Sequence, residues 1–276
     1  MIKMETRKRT ITDKYISYCN SLRYRMTEPA LLRMLRWLYE DDYSQTDESP
    51  LISIIIATYN RGRILVERTL PSILGQTYRN FEIIVVGDHC IDDTPDLLSQ
   101  IKDPRLRFYD MPKRGRYPDN VKLRWFVQGT PPRNKGMQLA RGKWLCWLSD
   151  DDIFTPNHIK VLLTFAMKGR HEFVSADYEE EREGHKRILG SKEMQESIGI
   201  AAGGMPTWLY RSYLRHFRWN SQCWRKDWNC PVDYDLLIRM DRAGVRMGYL
   251  DEVVTIVPPV EGTNTVGLRA LLQLET

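Results

Sequence analysis

LISIIIA at residues 51–57 and FEIIVVGD at residues 81–88 are the two stretches of sequence that decide the fold. Both are nearly continuous apolar runs rich in β-branched residues, the pattern of strands buried on both faces of a parallel sheet. Residues 64–76 between them are typical of a helix. A strand, a helix and a second strand in this order form a βαβ unit, whose helix covers one face of the sheet. The sequence therefore predicts an α/β fold.

The alternation of strands and helices continues along the chain and becomes less regular after residue 170. We predict mainly loop at 111–132, a helix at 134–141 that is capped by Gly142, and a charged hairpin tip at 179–186. The other predicted strands are 106–109, 143–148, 173–178 and one or two within 245–257, and the other predicted helices are 94–101, 156–168 and 233–243. This order predicts a mostly parallel central sheet with helices on both faces.

Composition narrows the classes of function. The chain has 276 residues, of which 42% are hydrophobic and 28% are charged, enough for one large domain with an appendage. Its formal net charge of +5 suits an anionic ligand or a membrane surface, but it is too small and dispersed to indicate nucleic acid. Five cysteines without a CxxC pair favour reduced thiols, and we expect a cytoplasmic protein.

Residues 1–49 differ from the rest of the chain and predict an N-terminal helical appendage that ends in a polar linker at 41–50. Within this segment 28–39 is predicted to be a short helix, because its leucines recur at helical spacing and a proline lies near its start. Two roles are open. The helix packs on the core or on a second copy of the chain, or it lies on a membrane surface, since Arg33, Arg36 and Trp37 flank its apolar stripe.

Polar residues that can bind a ligand follow three of the predicted strands directly. Thr58 and Tyr59 follow the first strand, Asp88 ends the second, and the acidic run 150–152 follows the strand at 143–148. Because parallel α/β sheets bind ligands at the carboxyl ends of their strands, these residues predict one shared site.

Three motifs in the same order resemble the family 2 glycosyltransferases, which have the nucleotide-sugar-binding GT-A fold. They are LISIIIATYNRGRILVERTLPSILGQTYRNFEIIVVGDHCIDDT, RNKGMQLARGKWLCWLSDDDIFTP and DYDLLIRMDRAG. The resemblance implies a Rossmann-like GT-A domain at 50–258, with a nucleotide-binding half at 50–155 and an acceptor half at 156–258. Residues 259–276 are then a C-terminal tail.

The same resemblance implies the inverting transfer of a sugar from a nucleoside-diphosphate-sugar, UDP-linked in the first instance, to a hydroxyl of a saccharide or lipid-linked glycan. In this family Thr58 and Tyr59 would contact the nucleobase, and Asp88 would accept a hydrogen bond from it. Arg133 and Asn134 would bind the donor at the start of a helix, where phosphates are attracted. The alternative roles of Asp88 and Asn134 are helix capping or turn formation.

A divalent cation, Mn²⁺ or Mg²⁺, is implied by the acidic run, because such cations bind carboxylate and phosphate oxygens. We expect Asp151 to be the direct ligand and Asp150 to contact the ribose or a metal-bound water. The run departs from the family's Asp-x-Asp pattern, since Ser149 takes the first position. Gly87 likewise replaces an acid, which leaves the nucleotide open. Adjacent carboxylates need a counter-ion to stay charged.

Asp233 matches the family's catalytic acid and would remove the proton from the acceptor hydroxyl. Asp235 is the alternative base, with helix-terminal stabilisation as its structural role. Trp208 and Gly204 lie where the family forms its acceptor pocket, although core packing is equally open for Trp208.

Two other functions compete with sugar transfer. The first is a sugar nucleotidyltransferase, which would release pyrophosphate, and the second is a non-catalytic nucleotide-sugar-binding module. The expected partners are the donor and a glycan or lipid-linked saccharide acceptor, without nucleic acid. Residues 1–49 would add a peripheral contact with the inner face of a membrane or a homodimer contact.

Overall fold

The computed structural model describes residues 9–43, 47, 49–226 and 231–274. Parts of the predicted linker, Cys230 and the last two residues of the tail lie outside the described residues. The described chain begins with one long helix, α1 (Ile11–Tyr39), and continues as a sheet with helices on both faces. Thr10 and Asp13 begin α1 with a capping box, in which the backbone N–H of each residue donates to the side chain of the other at 3.1 Å.

The described strands form one sheet. They are β1 (Ile52–Thr58), β2 (Phe81–Gly87), β3 (Leu106–Asp110), β4 (Trp144–Ser149), β5 (Ile153–Phe154), β6 (Phe173–Arg182), β7 (His185–Leu189), β8 (Leu209–Arg211) and β9 (Met247–Val257). Their order across the sheet is β3-β2-β1-β4-β8-β6-β9-β5, with β7 paired to β6 in a hairpin. The tip of this hairpin is residues 183–184, inside the predicted tip at 179–186, whose other residues belong to β6 and β7.

Most strands of the described chain run in one direction. Neighbouring strands β3, β2, β1 and β4 are parallel, and β6 and β9 pair in parallel with each other. Strand β8 runs antiparallel to both β4 and β6, so that β6 and β9 share the direction of β4. Strands β5 and β7 run in the opposite direction. The predicted mostly parallel sheet is confirmed, and its irregular second half comes from the short reversed strands.

Helices cover both faces of this sheet. Between β1 and β2, α2 (Gly62–Ile64) passes through a π-helical turn at Leu65–Thr69 into α3 (Leu70–Leu74). The later helices are α4 (Thr94–Ser99), α5 (Val121–Val127), α6 (Thr130–Leu139), α7 (His158–Lys168), α8 (Ser191–Ile198), α9 (Val232–Ala243) and α10 (Gly267–Leu274). None of the helices in the described ranges is long and apolar enough to cross a membrane.

The two faces of β1 separate the core into two layers, as strand alternation requires. Ile55 belongs to the layer that contains residues of α1, α6 and α9. Ile54 and Ile56 belong to the layer that contains residues of α3 and α7. All three isoleucines are fully buried, which fixes the direction in which the polar residues after β1 leave the sheet.

The N-terminal helix is longer than the sequence predicted. It begins at Ile11 rather than at residue 28, so that Pro29 lies in its interior. Its additional turns are attached to the core by the ion pair that joins Asp13 to Arg225 across 212 positions of the chain. A partner that distant leaves no periodic pattern in the helix itself, and the apolar spacing therefore showed its last part alone.

The predicted bounds of α6 and its predicted cap were also wrong. The helix begins at Thr130 and ends at Leu139, and α5 lies inside the segment predicted to be mainly loop. Gly142 does not cap α6. A Cβ at Gly142 would lie 2.6 Å from the backbone nitrogen of Ser53, so the glycine permits close approach to β1 instead.

Candidate active site

The carboxyl ends of β1, β2 and β4, which the sequence indicated as a binding site, lie side by side at the same end of the sheet. Thr58 at the end of β1 is paired with Gly87 of β2, and Ala57 is paired with Ser149 of β4. The residues that follow, Asp88 and Asp150, therefore leave the sheet side by side with Thr58. The backbone N–H of Asp88 donates to the carbonyl of Thr58 at 2.9 Å.

Arg61 connects the acidic run to the loop after β1. Its Nη1 lies 3.2 Å from Oδ1 of Asp150, and its Nη2 lies 2.9 Å from Oδ2 of Asp151. The hydroxyl of Thr58 donates to the second oxygen of Asp150 at 2.8 Å. The counter-ion that the adjacent carboxylates require is thus a side chain of the protein, one that the motif analysis passed over.

The charged forms of the acidic run remain unfavourable in spite of this arginine. Burial raises the pKa of Asp150 to about 6, and the neighbouring charge of Asp151 adds to the rise while Arg61 opposes it. Burial also raises the pKa of Asp152, again with a contribution from Asp151. Carboxyls in this state gain stability from any cation that approaches them.

The acidic run fits a divalent cation as part of a ligand set rather than as a complete one. Among the described residues, no three His, Cys, Asp or Glu side chains gather into a group that could hold a metal. Asp150 and Asp151 nevertheless offer buried carboxylates at the sheet edge, and Arg61 contacts Asp151 through Oδ2 alone. Phosphate oxygens of a bound donor and water would supply the remaining ligands that Mg²⁺ or Mn²⁺ requires.

The loop between β3 and α5 covers the predicted base-contact residues. Asp88 accepts hydrogen bonds from the backbone N–H of Gly115 at 2.8 Å and from the hydroxyl of Tyr117 at 2.5 Å. The guanidinium of Arg114 lies over the ring of Tyr59, 3.7 Å from its centroid. Burial raises the pKa of Asp88, against the lowering effect of Tyr117. A nucleobase that used Asp88 and Tyr59 would have to displace this loop.

Gly87 stands where the family pattern has an acid, and a carboxylate from the next strand takes the space. A Cβ at Gly87 would lie 2.3 Å from Oδ1 of Asp110, at the end of β3. The same oxygen accepts a hydrogen bond from the backbone N–H of Cys90 at 3.1 Å. The missing acid is therefore replaced through space by Asp110, which the sequence could not reveal because the two positions are on different strands.

Asp233 lies in the first turn of α9 and shares one arginine with the acidic run. Burial raises the pKa of Asp233, and the positive charge of Arg133 opposes the rise. Burial lowers the pKa of Arg133, against the opposite effects of Asp233, Tyr117 and Asp150. One guanidinium thus interacts with residues at both predicted ends of the reaction centre.

Asn134 has a different position from the one expected. It lies inside α6 rather than at its start, so neither phosphate binding at a helix terminus nor helix capping describes it. Its side-chain amide donates to the carbonyl of Trp219 at 2.9 Å and accepts from the N–H of the same residue at 3.0 Å. This pair of bonds holds Trp219 beneath Arg133, whose guanidinium carbon lies 5.2 Å from the indole centroid.

Asp235, the alternative base, is fully buried in an ion-pair network. One carboxylate oxygen lies 2.9 Å from Nε of Arg239, and the other is paired with Lys226. Arg239 is also paired with Glu28 of α1. These contacts occupy both oxygens of Asp235 and give it a structural position between α9 and α1.

The two predicted acceptor residues have different surroundings, because Trp208 lies in the core and Gly204 lies against Tyr178. Trp208 is fully buried, donates its indole N–H to the carbonyl of Gly203 at 2.8 Å and stacks on Trp219 at 5.8 Å, so its ring has no face open to a sugar. Gly204 packs against the ring of Tyr178, since a Cβ there would lie 2.8 Å from Cε1. Burial raises the pKa of Tyr178, and the charge of nearby Asp233 adds to the rise.

Comparisons with known proteins agree with this arrangement. The family profile described as Glycosyl transferase family 2 matches residues 53–123 and 129–228. The chain therefore belongs to this family of glycosyltransferases.

Its curated relatives are distant, and each match covers part of the relative's length. An uncharacterised glycosyltransferase of Rickettsia felis is 31% identical over 138 residues, which are 50% of this chain and 21% of that protein. The Escherichia coli UDP-Glc:alpha-D-GlcNAc-diphosphoundecaprenol beta-1,3-glucosyltransferase WfaP is 30% identical over 128 residues, 46% of each chain. The matched part of this chain thus spans less than half the length of either relative.

Solved structures show the same fold. TarS of Staphylococcus aureus, residues 1–349 in complex with UDP-GlcNAc, has a TM-score of 0.60 at 17% identity, over 77% of this chain and 60% of that one. The mannosyltransferase PcManGT of Pyrobaculum calidifontis, in complex with GDP-Man and Mn²⁺, has a TM-score of 0.55 at 14% identity, over 84% and 66%. The predicted GT-A fold is confirmed.

Proposed function

We propose that this protein is an inverting glycosyltransferase that moves a sugar from a nucleoside-diphosphate-sugar to a hydroxyl of a saccharide or lipid-linked glycan. The observation that carries the proposal is the meeting of Thr58, Asp88 and Asp150 at the carboxyl ends of neighbouring parallel strands, in a chain of this family. A diphosphate leaving group and an acceptor base must lie on opposite sides of the same anomeric carbon, and we assign these places to the acidic run and to Asp233. Residues 50–155 then form the donor half and residues 156–258 the acceptor half.

A UDP-sugar is the first donor to consider. Thr58, Tyr59 and Asp88 lie at the sheet edge where the nucleotide would bind, and WfaP is named for a UDP-linked glucose. Asp110 restores an acid beside Asp88 in spite of Gly87. Arg133 contributes charge to the diphosphate, while Asn134 acts indirectly by holding Trp219 beneath it.

Asp151 and Asp150 would hold Mn²⁺ or Mg²⁺ together with the donor diphosphate. When bound, such a cation would neutralise negative charge that develops on the departing diphosphate. Arg61 would then be free to leave the carboxylates and contact phosphate oxygens, since its guanidinium binds either group with the same geometry.

Asp233 would accept the proton of the attacking hydroxyl. A carboxylate whose pKa is raised by burial is a stronger base than an exposed one. Asp235 is unsuited to this role because Arg239 and Lys226 bind both of its oxygens. A single displacement with one base inverts the anomeric configuration of the sugar.

The acceptor would bind beside Gly204 and Tyr178, next to Asp233, with Trp208 supporting that wall from the core. WfaP is named for an acceptor sugar on diphosphoundecaprenol, which supports a lipid-linked saccharide as one acceptor class. We infer that transfer takes place on the cytoplasmic side of a membrane. The N-terminal segment would provide either a peripheral membrane contact or a contact with a second copy.

A donor screen tests the proposal. Melting temperatures are measured with nucleoside diphosphates and their sugars, with and without Mn²⁺, because a ligand that binds the folded state stabilises it. The best donor is then incubated with saccharide acceptors, and the products are identified. Transfer with release of a nucleoside diphosphate supports the proposal. Release of pyrophosphate would indicate a nucleotidyltransferase, and binding without transfer or donor hydrolysis would indicate a non-catalytic module.

A further inference from the structure

The outward surface of α1 exposes large apolar and aromatic side chains that nothing in the described chain covers. Ile11 is 88% exposed, Trp37 is 84% exposed and Met26 is 68% exposed. With Tyr15, Tyr18 and Leu22, which are also exposed, they form the α1 stripe. At 3.6 residues per turn these six side chains fall within an arc of roughly 100° along about 39 Å of helix. Such a stripe on a surface helix indicates a binding partner.

The charges of α1 are divided between its two sides. Its two acids, Asp13 and Glu28, are both buried and paired with arginines of the core. The exposed charged residues of the helix are therefore cations alone, namely Lys14, Arg23, Arg25 and Arg33. On the helical wheel Lys14 and Arg25 border the α1 stripe on one side, Arg23 borders it on the other, and Arg33 lies within it.

This division of charge selects the partner. A second copy of the chain would present the same cations to this surface, and like charges at an interface oppose association. Anionic phospholipid headgroups offer the opposite charge, and lysine and arginine side chains can extend from an apolar face toward them. Tryptophan and tyrosine are enriched at the boundary between headgroups and acyl chains, where the α1 stripe would lie.

We propose that α1 is a membrane-surface helix that docks this protein on anionic phospholipid. The attachment of α1 to the core would transmit this docking to the active site. Glu28 of α1 is paired with Arg239, which binds Asp235 two residues after the proposed base. A docked α1 thus holds α9 and Asp233 at a fixed position relative to the lipid surface. This position of Asp233 would aid transfer only if the acceptor is lipid-linked, as proposed above. The docking of α1 does not depend on that proposal.

Vesicle sedimentation with the full chain tests the docking. The vesicles contain phosphatidylcholine with or without phosphatidylglycerol, and no donor is added. We expect the protein to sediment with the anionic vesicles and to be released by salt, because the attraction to their surface is screened. The double variant Lys14→Glu/Arg25→Glu should lower the partition coefficient at least about tenfold, since each cation near an anionic surface contributes roughly fivefold.

A second double variant, Leu22→Ser/Met26→Ser, should lower partition by about tenfold or more through loss of apolar contact. The matched controls are Ile188→Ser and Arg187→Glu, which change exposed residues of β7 away from α1. Both controls should sediment like the wild-type protein. Melting temperatures of all variants show whether each one is folded.

Three outcomes would overturn the docking. Wild-type protein could stay in the supernatant with every vesicle, or the β7 controls could lose as much binding as the α1 variants. Light scattering could instead show a dimer that Leu22→Ser/Met26→Ser dissociates without vesicle binding, which would make the α1 stripe an interface between copies. Donor binding is measured on the same samples. Donor binding without vesicle binding contradicts the docking and leaves the proposed function standing. Vesicle binding without donor binding contradicts the proposed function and leaves the docking standing.

Discussion

Arg61 and Asp151 form an ion pair of 2.9 Å at the carboxyl ends of the parallel strands, and the same guanidinium lies 3.2 Å from Asp150. The positive charge thus lies where the proposed cation would bind. Since the carboxylates are buried and adjacent, the pair offsets a repulsion that the fold would otherwise carry. Arg61 is therefore the residue whose removal should expose the electrostatic state of the acidic run.

Arg61→Ala should destabilise the donor-free protein by about 1.5 to 3 kcal/mol, the range for a lost hydrogen bond to a charged group. Mn²⁺ should restore more of the melting temperature in this variant than in the wild-type protein, because the metal no longer competes with a guanidinium. Thermal melts with and without Mn²⁺ measure both effects. Arg63→Ala, an exposed arginine of α2, is the control. Equal melting temperatures for Arg61→Ala and Arg63→Ala would contradict the counter-ion role.

Asp150→Asn should gain stability relative to the wild-type protein as the pH rises. The pKa of Asp150 is raised from 3.8 to about 6, so the folded protein binds its proton more tightly than the unfolded chain does. The stability from this proton is present below pH 3.8 and is lost as the pH rises through about 6. Asparagine stays neutral and avoids the loss.

Melting temperatures of the two proteins in a chelator measure this difference. The variant minus wild-type value should be more positive at about pH 7.5 than at about pH 5, because Asp150 is charged in one case and largely protonated in the other. Taking the difference removes the contributions of titrating groups that do not interact with Asp150. A difference that stays constant or falls with pH would show that Arg61 fully compensates the buried charge.

Tyr117→Phe should strengthen the binding of nucleotides. In the donor-free protein the Tyr117 hydroxyl and the Gly115 N–H occupy the carboxylate of Asp88, and a nucleobase must displace them. Removal of one such bond lowers the cost of opening, which predicts roughly fivefold to tenfold tighter binding. Calorimetric titration with UDP measures it, and Tyr109→Phe on β3 is the control. Weaker binding would mean that Tyr117 contacts the bound nucleotide instead.

The sequence predicted those parts of the fold whose signal is local. The apolar runs of β1 and β2 end at Thr58 and Gly87, within two residues of the predicted ends, and the strand that leads to Asp150 was equally clear. The resemblance to the family then predicted roles for the site residues, which the spacing of apolar residues alone does not indicate. Parallel strands bring their carboxyl ends together, and for this reason the sequence alone predicts that Asp88 and Asp150 lie at the same end of the sheet.

Residues whose partners are distant in the chain could not be predicted from the sequence. Arg61 was not selected, because its carboxylate partners lie about ninety positions later in the chain. Asp110 was not predicted for the same reason, because its carboxylate lies against Gly87, which is on a different strand. The first half of α1 is attached to the core by the ion pair of Asp13 with Arg225, 212 positions later in the chain. The burial of Trp208 is likewise a property of the packed core, which its position near a glycine pair could not reveal.

The two acids of α9 should respond differently to removal of their charge. Asp233→Asn should lower the transfer rate by about 100-fold or more, the usual contribution of a general base, with donor affinity and melting temperature nearly unchanged. Asp235→Asn should lower the free energy of unfolding by about 3 to 5 kcal/mol, because it leaves Arg239 and Lys226 buried with one partner fewer. Activity per folded molecule should then be largely retained.

Transfer assays and denaturant unfolding of both variants separate the two roles, with Asp241→Asn at the exposed end of α9 as the control. The pH profile of the wild-type protein adds an independent readout. Asp233 accepts a proton only when it is charged, and its raised pKa predicts that the rate falls with acidity at a higher pH than an exposed aspartate would give. Unimpaired turnover in Asp233→Asn, together with a collapse of turnover in folded Asp235→Asn, would assign the base to Asp235.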